Sequence, residues 1–356
     1  MSRYSALVSR LPAGIDALIV TSEKNQRYLS GFPFTDGYVV ATRSHGYLFT
    51  DFRYIEAAKR ETRPEYEVIM FENGNRTALV TEKLKNDGVR ILAYEDNFLT
   101  VRELEGLKKE FPDFELVPVG TVLEDMRVFK DEEEIASIVK AQRIAEAALE
   151  ETLKRITPDM TEIEVAAELE YHMRRGGAAG TSFDTIAVSG KLSSCPHGVP
   201  RNVKLERGFL TMDFGALYNG YCSDMTRTVV LGKADAEMKK VYNTVLKAQL
   251  AALDAIKPGA DMGEMDKIAR DIIYGAGYEG CFGHSLGHGV GMFIHERPGF
   301  SRLWFGHPLE AGHVVTVEPG IYLENRYGVR IEDMVAIYAD RAENLTKAPK
   351  ELIELF

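Results

Sequence analysis

The sequence predicts two domains of different class, a small α/β domain over residues 1–124 and an α+β domain over residues 125–356. Three observations carry this expectation. A chain of 356 residues is longer than a single core usually organises. Up to about residue 120, short strand-like and helix-like runs alternate, the pattern of a layered α/β unit. Beyond Arg127 the pattern changes: capped helices come first, and strand-like runs return from about residue 183.

In the first domain, residues 16–21 read as a strand. Residues 37–42 and 47–50 flank a turn at Arg43-Ser-His-Gly46 and read as a hairpin. Helical runs are expected at 53–61, 77–86 and 101–110, with strand-like 68–70 and 91–94 between them. In the second domain Asp131-Glu-Glu-Glu134 opens a long helix with apolar positions at Ile135, Ile138, Val139 and Ala141. Asp131 can cap it, Glu134 can reach back, and the acidic first turn suits the helix dipole. Thr161-Glu-Ile-Glu164 starts a second helix that ends near Gly176-Gly177, and Asp261-Met-Gly-Glu264 resembles a third box. Strands are expected at 183–189, 208–213, 223–231, 314–319 and 328–336.

Composition excludes several classes. Apolar residues make up 45% and charged residues 27%, ordinary for a globular protein. A formal net charge of −11 opposes binding to a phosphate backbone, so no nucleic-acid partner is expected. No run approaches about eighteen apolar residues, so no membrane span is expected. The first residues carry no long apolar stretch, so no signal peptide is expected. Cys195, Cys222 and Cys281 are unevenly spaced and lack CxxC spacing. They fit a reducing cytoplasm better than a disulfide framework or a zinc-thiolate site.

The informative residues are acidic. Asp213 closes the apolar run Phe209-Leu-Thr-Met-Asp213, and Asp224 begins Asp224-Met-Thr-Arg-Thr-Val-Val230, with a turn expected over 215–220. Two adjacent antiparallel strands would bring both carboxylates to one sheet face. Burying them there is costly unless a cation compensates. Glu318 sits inside Val314-Val-Thr-Val-Glu-Pro-Gly320, and Glu332 inside Val329-Arg-Ile-Glu-Asp333, where a strand would put Arg330 and Glu332 on one face. Any one of these alone would be read as a salt bridge or strand-end cap. Four in one domain, each in an apolar segment, point to a buried cation site. Four of the eight histidines add to it, in Ser194-Cys-Pro-His197-Gly-Val-Pro200 and His284-Ser-Leu-Gly-His288-Gly-Val-Gly-Met-Phe-Ile-His295. Glycine follows His197 and flanks His288, which permits close backbone approach. His45, His172, His307 and His313 read as turn, helix-surface or satisfied polar residues.

Five segments together resemble one family: Met212-Asp-Phe-Gly215, Ser223-Asp-Met-Thr-Arg-Thr228, Gly287-His-Gly-Val-Gly291, Thr316-Val-Glu-Pro-Gly320 and Arg330-Ile-Glu-Asp333. In order and spacing they resemble the pita-bread metallopeptidases, the family of methionine aminopeptidase, prolidase and aminopeptidase P. Arg27-Tyr-Leu-Ser-Gly-Phe32 and Leu48-Phe-Thr-Asp-Phe-Arg-Tyr54 look like the N-terminal domain of the prolidase and aminopeptidase P branch, which methionine aminopeptidases lack. The resemblance implies a pita-bread catalytic domain after a creatinase-like N-terminal domain. It implies metal ligation by Asp213, Asp224, His288, Glu318 and Glu332, with Asp224 and Glu332 bridging two ions and Thr226 holding Asp224 from behind. An oxygen-rich set with one imidazole suits Mn²⁺ first, with Co²⁺ and Zn²⁺ compatible. Such a pair can hold a bridging hydroxide at neutral pH and polarise a carbonyl.

By the same resemblance Glu318 shuttles the proton, His197 and His295 hydrogen-bond substrate and tetrahedral intermediate, and His284 and Arg330 belong to the proline-specific branch. The implied activity is hydrolysis of Xaa-Pro bonds in dipeptides or short peptides by a cytoplasmic homodimer, one subunit's N-terminal domain helping to wall the other's site. Residues 296–307 depart from a recognisable prolidase pattern. Arg297 and Arg302 are candidates for the substrate carboxylate, and dipeptidase and aminopeptidase both stay open. Broader or methionine-type aminopeptidase activity, metal-free creatinase-type hydrolysis, and a non-catalytic binding protein on the same fold are the competing readings.

Overall fold

The computed structural model describes residues 2–72 and 74–356. The chain forms two compact units, Met1–Arg127 and Val128–Phe356. The first holds a mixed sheet of six strands. Their order is Tyr66–Met70, Gly46–Thr50, Gly37–Thr42, Ala17–Val20, Ile91–Tyr94 and Glu115–Pro118. The Gly37–Thr42 and Gly46–Thr50 hairpin is antiparallel, as is the pairing of Ala17–Val20 with Gly37–Thr42, and the other pairings are parallel. Ala17–Val20 is buried along its whole length, as an unbroken apolar run requires when both sheet faces are covered. Helices Arg76–Asn86 and Val101–Glu110 send Val80, Leu84 and Leu107 against Ile19, Val40, Phe49 and Leu92. The short helices Arg3–Arg10 and Glu23–Ser30 have no counterpart in the sequence reading.

The second unit is α+β, with two helix pairs packed against two mainly antiparallel sheets, the pita-bread arrangement the resemblance implies; only the edge strand Glu354–Leu355 pairs parallel, with Met225–Leu231. Asp131 and Thr161 make complete capping boxes at the starts of Glu132–Leu153 and Glu162–Arg175. Asp235 and Asp261 cap Ala236–Ala255 and Met262–Gly275, each accepting from the N–H three residues on. In the first sheet, Gly208–Phe214 runs between Ile186–Ser189 and Met225–Leu231. Leu210, Met212 and Phe214 face the first helix pair, packing with Ala141, Ala145, Leu149 and Leu169. Strand alternation then turns Asp213 to the opposite face. The second sheet orders Glu296–Phe300, Gly287–Gly289, Val314–Val317, Asp333–Ile337 and Ala342–Asn344. Val315, Val317, Val335 and Ile337 pack there with Val241, Val245 and Ala269 of the other helix pair.

Several sequence expectations need correction. Residues 215–220 are not a simple turn: Ala216–Tyr218 is a strand, and the turn is Asn219-Gly220, both at positive φ, leading into Tyr221–Cys222. The strand expected at 183–189 begins only at Ile186, and Asp224 lies just outside Met225–Leu231. Residues 328–336 are not one strand. Tyr327–Arg330 pairs with Gly320–Leu323, whereas Asp333–Ile337 pairs with Val314–Val317. The registers Gly320↔Arg330 and Val317↔Asp333 leave Glu318-Pro319 opposite Ile331-Glu332. Pro319 has no N–H to give a ladder, so both strands break at the same level. The Glu332 N–H goes instead to the Thr226 carbonyl at 3.2 Å.

His313 gives this unit a built-in acid sensitivity. It is buried and stacks on Phe129 with ring centroids 5.1 Å apart. Its Nδ1 accepts the Glu310 N–H at 3.2 Å. Burial, with the Lys130 ammonium nearby, pushes the imidazole down to about 4 from 6.5. Between those values the unfolded chain binds the proton more readily than the folded one. The contribution to stability is therefore complete above about pH 6.5 and is lost as pH falls toward about 4. His313→Gln, whose amide oxygen can still accept from Glu310, should lose less stability than the wild type between pH 7.5 and pH 5. Urea midpoints at the two pH values measure this, and equal losses would remove His313 as the cause.

Candidate metal centre

Asp213 and Thr226 are direct partners across the first sheet. Asp224 stands just before that strand, two residues from Thr226, and lines the same cavity as Asp213. The second sheet brings His288 on Gly287–Gly289, and the two strand breaks bring Glu318 and Glu332. Ligand atoms of Asp224, His288 and Glu332 lie within 4.8 Å of one another. His288 Nε2 is 3.5 Å from Asp224 Oδ2 and 3.4 Å from Glu318 Oε1. Its Nδ1 donates to the Gly289 carbonyl at 3.1 Å, which leaves Nε2 as the bare nitrogen facing the carboxylates.

The electrostatics of this cluster are those of a cation site. Asp224 and Glu332 are almost completely buried. Burial, then the charges of Glu332, Asp213 and Glu318, push the Asp224 carboxyl well above its ordinary range. Burial and the charges of Glu318 and Asp213 do the same to Glu332. Glu318 rises to about 7, chiefly through burial, with Asp213 adding to it and Arg330 opposing it. Desolvation lowers the His288 pKa, keeping it the neutral ligand form. Asp213 Oδ2 receives Arg330 Nη2 at 2.6 Å, while its Oδ1 is buried with no hydrogen-bond partner among the described residues. A hard divalent cation satisfies that oxygen and relieves the repulsion together, so the donor set fits.

Nine of the residues singled out from the sequence line one cavity of about 580 Å³: His197, Asp213, Asp224, His284, His288, His295, Glu318, Arg330 and Glu332. His295 lies edge-on to His288 with centroids 4.3 Å apart. His197 is exposed on the loop before Gly198. Arg330 is buried and binds four groups: Thr226 Oγ1 at 3.0 Å, Asp213, Tyr322 Oη at 2.8 Å and the Pro196 carbonyl at 3.3 Å. Thr226 does support a carboxylate, but it is Glu332, to which it donates at 2.6 Å, and not Asp224 as expected. The sequence reading missed Tyr322, whose hydroxyl lies 2.9 Å from His284 Nε2. Arg297 and Arg302 do not line the cavity.

Residues 136–339 match metallopeptidase family M24, and residues 11–129 match the creatinase/prolidase N-terminal domain. The chain belongs to metallopeptidase family M24. Its N-terminal domain, together with the full-length relatives below, puts it in the prolidase and aminopeptidase P branch of that family. An Xaa-Pro dipeptidase of Pyrococcus horikoshii is 40% identical over 341 residues, covering 95% of each chain. Among solved structures, an Xaa-Pro dipeptidase from Bacillus anthracis superposes with a TM-score of 0.93 at 41% identity over 99% of each chain. An X-Pro aminopeptidase from Thermotoga maritima gives 0.91 at 37% identity, covering 96% of this chain and 98% of that one. No helix among the described residues is long and apolar enough to cross a membrane.

Membership of M24 implies divalent metal ions, and the crowded carboxylates give a test that needs no substrate. A metal ion that binds only the folded protein should raise the melting temperature, by the equivalent of about 2.7 kcal/mol at a hundredfold excess over Kd. Glu332→Gln should abolish that rise. Without metal the same variant should melt no lower than the wild type, because a buried amide of the same shape costs no more than a crowded buried carboxyl. A metal-induced rise of unchanged size in the variant would exclude Glu332 as a ligand.

Proposed function

We propose that this M24 enzyme hydrolyses Xaa-Pro bonds of dipeptides or short peptides with two divalent metal ions. Asp213, Asp224, His288, Glu318 and Glu332 would hold them, with Mn²⁺ the first choice for an oxygen-rich set. What supports this reading is the convergence of those side chains on one cavity, with three ligating atoms within 4.8 Å of one another. The ions supply Lewis-acid polarisation of the scissile carbonyl and an activated water at neutral pH.

The chain's own residues supply the rest. Glu318 takes the proton from the attacking water on a carboxylate oxygen. It delivers that proton to the leaving nitrogen as the C–N bond breaks. His197 and His295 hydrogen-bond the substrate and the tetrahedral carbon's oxygens. Burial, followed by Arg330, pushes His284 down to about 4, so it works as a neutral imidazole. Its Nδ1 lies 2.8 Å from the Ser285 carbonyl, leaving Nε2 to accept from Tyr322. The nitrogen of an Xaa-Pro bond carries no hydrogen, so recognition rests on ring shape. Phe183, Ile186, Val199 and Ile294 line the cavity as the apolar surface such a ring needs. We extend the reading to a cytoplasmic homodimer, which light scattering at micromolar concentration tests directly.

Kinetics with Mn²⁺, Co²⁺ or Zn²⁺ after chelator treatment test the whole reading. Chelation should abolish turnover and one of these ions should restore it. Full activity in rigorously metal-free protein would end the metal mechanism. On matched Xaa-Pro and Xaa-Ala peptides, kcat/KM should favour proline by about tenfold or more, equivalent to about 1.4 kcal/mol of transition-state discrimination. A ratio near one would remove the proline claim alone. Ala-Pro, Ala-Pro-Xaa and Met-Ala-Xaa peptides separate dipeptidase, proline aminopeptidase and methionine-type activity.

A further inference from the structure

His197 belongs to a loop that no regular element holds, yet it must be placed accurately over the cavity. The loop leaves the strand Ile186–Ser189 and passes through the short 3₁₀ turn Gly190–Ser194. It carries Pro196 and His197 over the cavity and returns at Arg201. Both feet of this loop meet the same side chain. Glu162, in the first turn of Glu162–Arg175, is fully buried. Its Oε1 accepts the Ser189 N–H at 2.8 Å, the Ser189 hydroxyl at 2.9 Å and Arg201 Nη2 at 2.8 Å. Its Oε2 accepts the Arg201 N–H at 3.0 Å and Arg201 Nε at 2.9 Å. One carboxylate thus takes five donors, all from the two residues that bound the loop.

A buried carboxylate needs such a set to stay charged. Burial disfavours the charged form, but the Arg201 guanidinium and the Ser189 and Arg201 N–H groups outweigh it and hold the pKa below its ordinary value. Backbone bonds continue the tether past Arg201. Glu162 N donates to the Val203 carbonyl at 3.2 Å, and Ile163 N to the Arg201 carbonyl at 3.3 Å. The loop's crown is attached separately to the catalytic residues. Ser193 Oγ accepts the Gly328 N–H at 3.0 Å, and the Pro196 carbonyl accepts from Arg330. His197 therefore hangs between a crown tied to the Arg330 strand and feet tied to Glu162.

We propose that Glu162 is a positioning residue for the reaction: by clamping Ser189 and Arg201 it fixes the loop that carries His197. It touches neither substrate nor metal ligand and acts through the placement of the imidazole. The proposal rests on the role given to His197 above.

The test is a double-mutant cycle in the metal-loaded enzyme, read with an Ala-Pro dipeptide. Glu162→Gln keeps the shape but cannot hold a guanidinium as an ion pair. It should lower kcat/KM about tenfold, the scale expected when a catalytic group is displaced by a fraction of an ångström. Metal bound per subunit should stay at the wild-type value, and hydrogen exchange should quicken across residues 190–201. In a His197→Ala background the same substitution should cost less than about twofold, because the group it positions is gone. Arg201→Ala, at a side chain 40% exposed, should repeat the pattern and decides the matter if Glu162→Gln does not fold. A full tenfold loss retained in the His197→Ala background would overturn the proposal, as would unchanged exchange across the loop. So would wild-type activity in His197→Ala, which would leave the metal mechanism standing. If the wild type cleaves none of the peptides, the functional reading fails, while exchange across 190–201 in the two variants still decides the clamp.

Discussion

Four carboxylates, Asp213, Asp224, Glu318 and Glu332, face one another in a pocket whose only buried cation is the Arg330 guanidinium, among the lining groups described. Without further positive charge this cluster is self-repelling. That repulsion, added to burial, is why Asp224 and Glu332 hold protons far above the ordinary carboxylate range. Hydrophobic packing of two helix pairs keeps the carboxylates there, since the sheets that carry them are fixed from their outer faces. The fold thus stores an unfavourable arrangement that binding of divalent cations relieves, and metal affinity and local stability become one quantity.

The backbone around the cluster follows from the same need. Regular strands would place Glu318 and Glu332 at ladder positions, with their N–H and C=O groups committed to neighbours. The paired break at Glu318-Pro319 and Ile331-Glu332 frees both residues from the ladder and gives their N–H groups to Leu286 and Thr226. These are bonds to the segment before His288 and to the strand that follows Asp224, so each carboxylate is fastened beside another residue of the cluster. Close approach of the His288 strand needs a glycine. A Cβ at Gly287 would lie 2.0 Å from the Thr316 carbonyl oxygen. Any side chain there would push His288 away from Glu318.

The acidic cluster was legible in the sequence because four acids fall in apolar segments of one domain, although any one alone would be read as a salt bridge or strand-end cap. Asp213, Asp224, Glu318 and Glu332 all stood out in this way, and the capping boxes at Asp131 and Thr161 are local signals that survive folding unchanged. What could not be read depends on chain separation. Thr226 looked like a partner for Asp224, two residues away, but its hydroxyl reaches Glu332 across the sheet junction. Tyr322 carried no signal in the sequence, and only folding brings it to His284 and Arg330. Glu162 drew no reading of its own beyond its place inside the Thr161-Glu-Ile-Glu164 box. Its five donors come from residues 27 and 39 positions away, which no local pattern reports. The strand break at 331–332 was hidden because Ile331 continues the apolar alternation. Its cause, Pro319, lies on the pairing strand.

Arg330 shows how hydrogen-bond direction alone orders such a centre. A guanidinium only donates. Thr226 Oγ1 therefore accepts from Arg330 Nε, and its one hydrogen goes to Glu332 Oε2. Tyr322 Oη accepts from Arg330 Nη1, so its hydrogen goes to His284 Nε2. That bond fixes the tautomer, with the proton on Nδ1 against the Ser285 carbonyl. Arg330 Nη2 occupies Asp213 Oδ2, which leaves Oδ1 turned to the cavity. One planar cation thus sets the direction of two hydroxyls, the protonation of one imidazole and the free oxygen of one ligand. Lysine offers a point charge without this fork and could satisfy at most part of the set. The geometry of the guanidinium, more than its charge, is what the site requires of position 330.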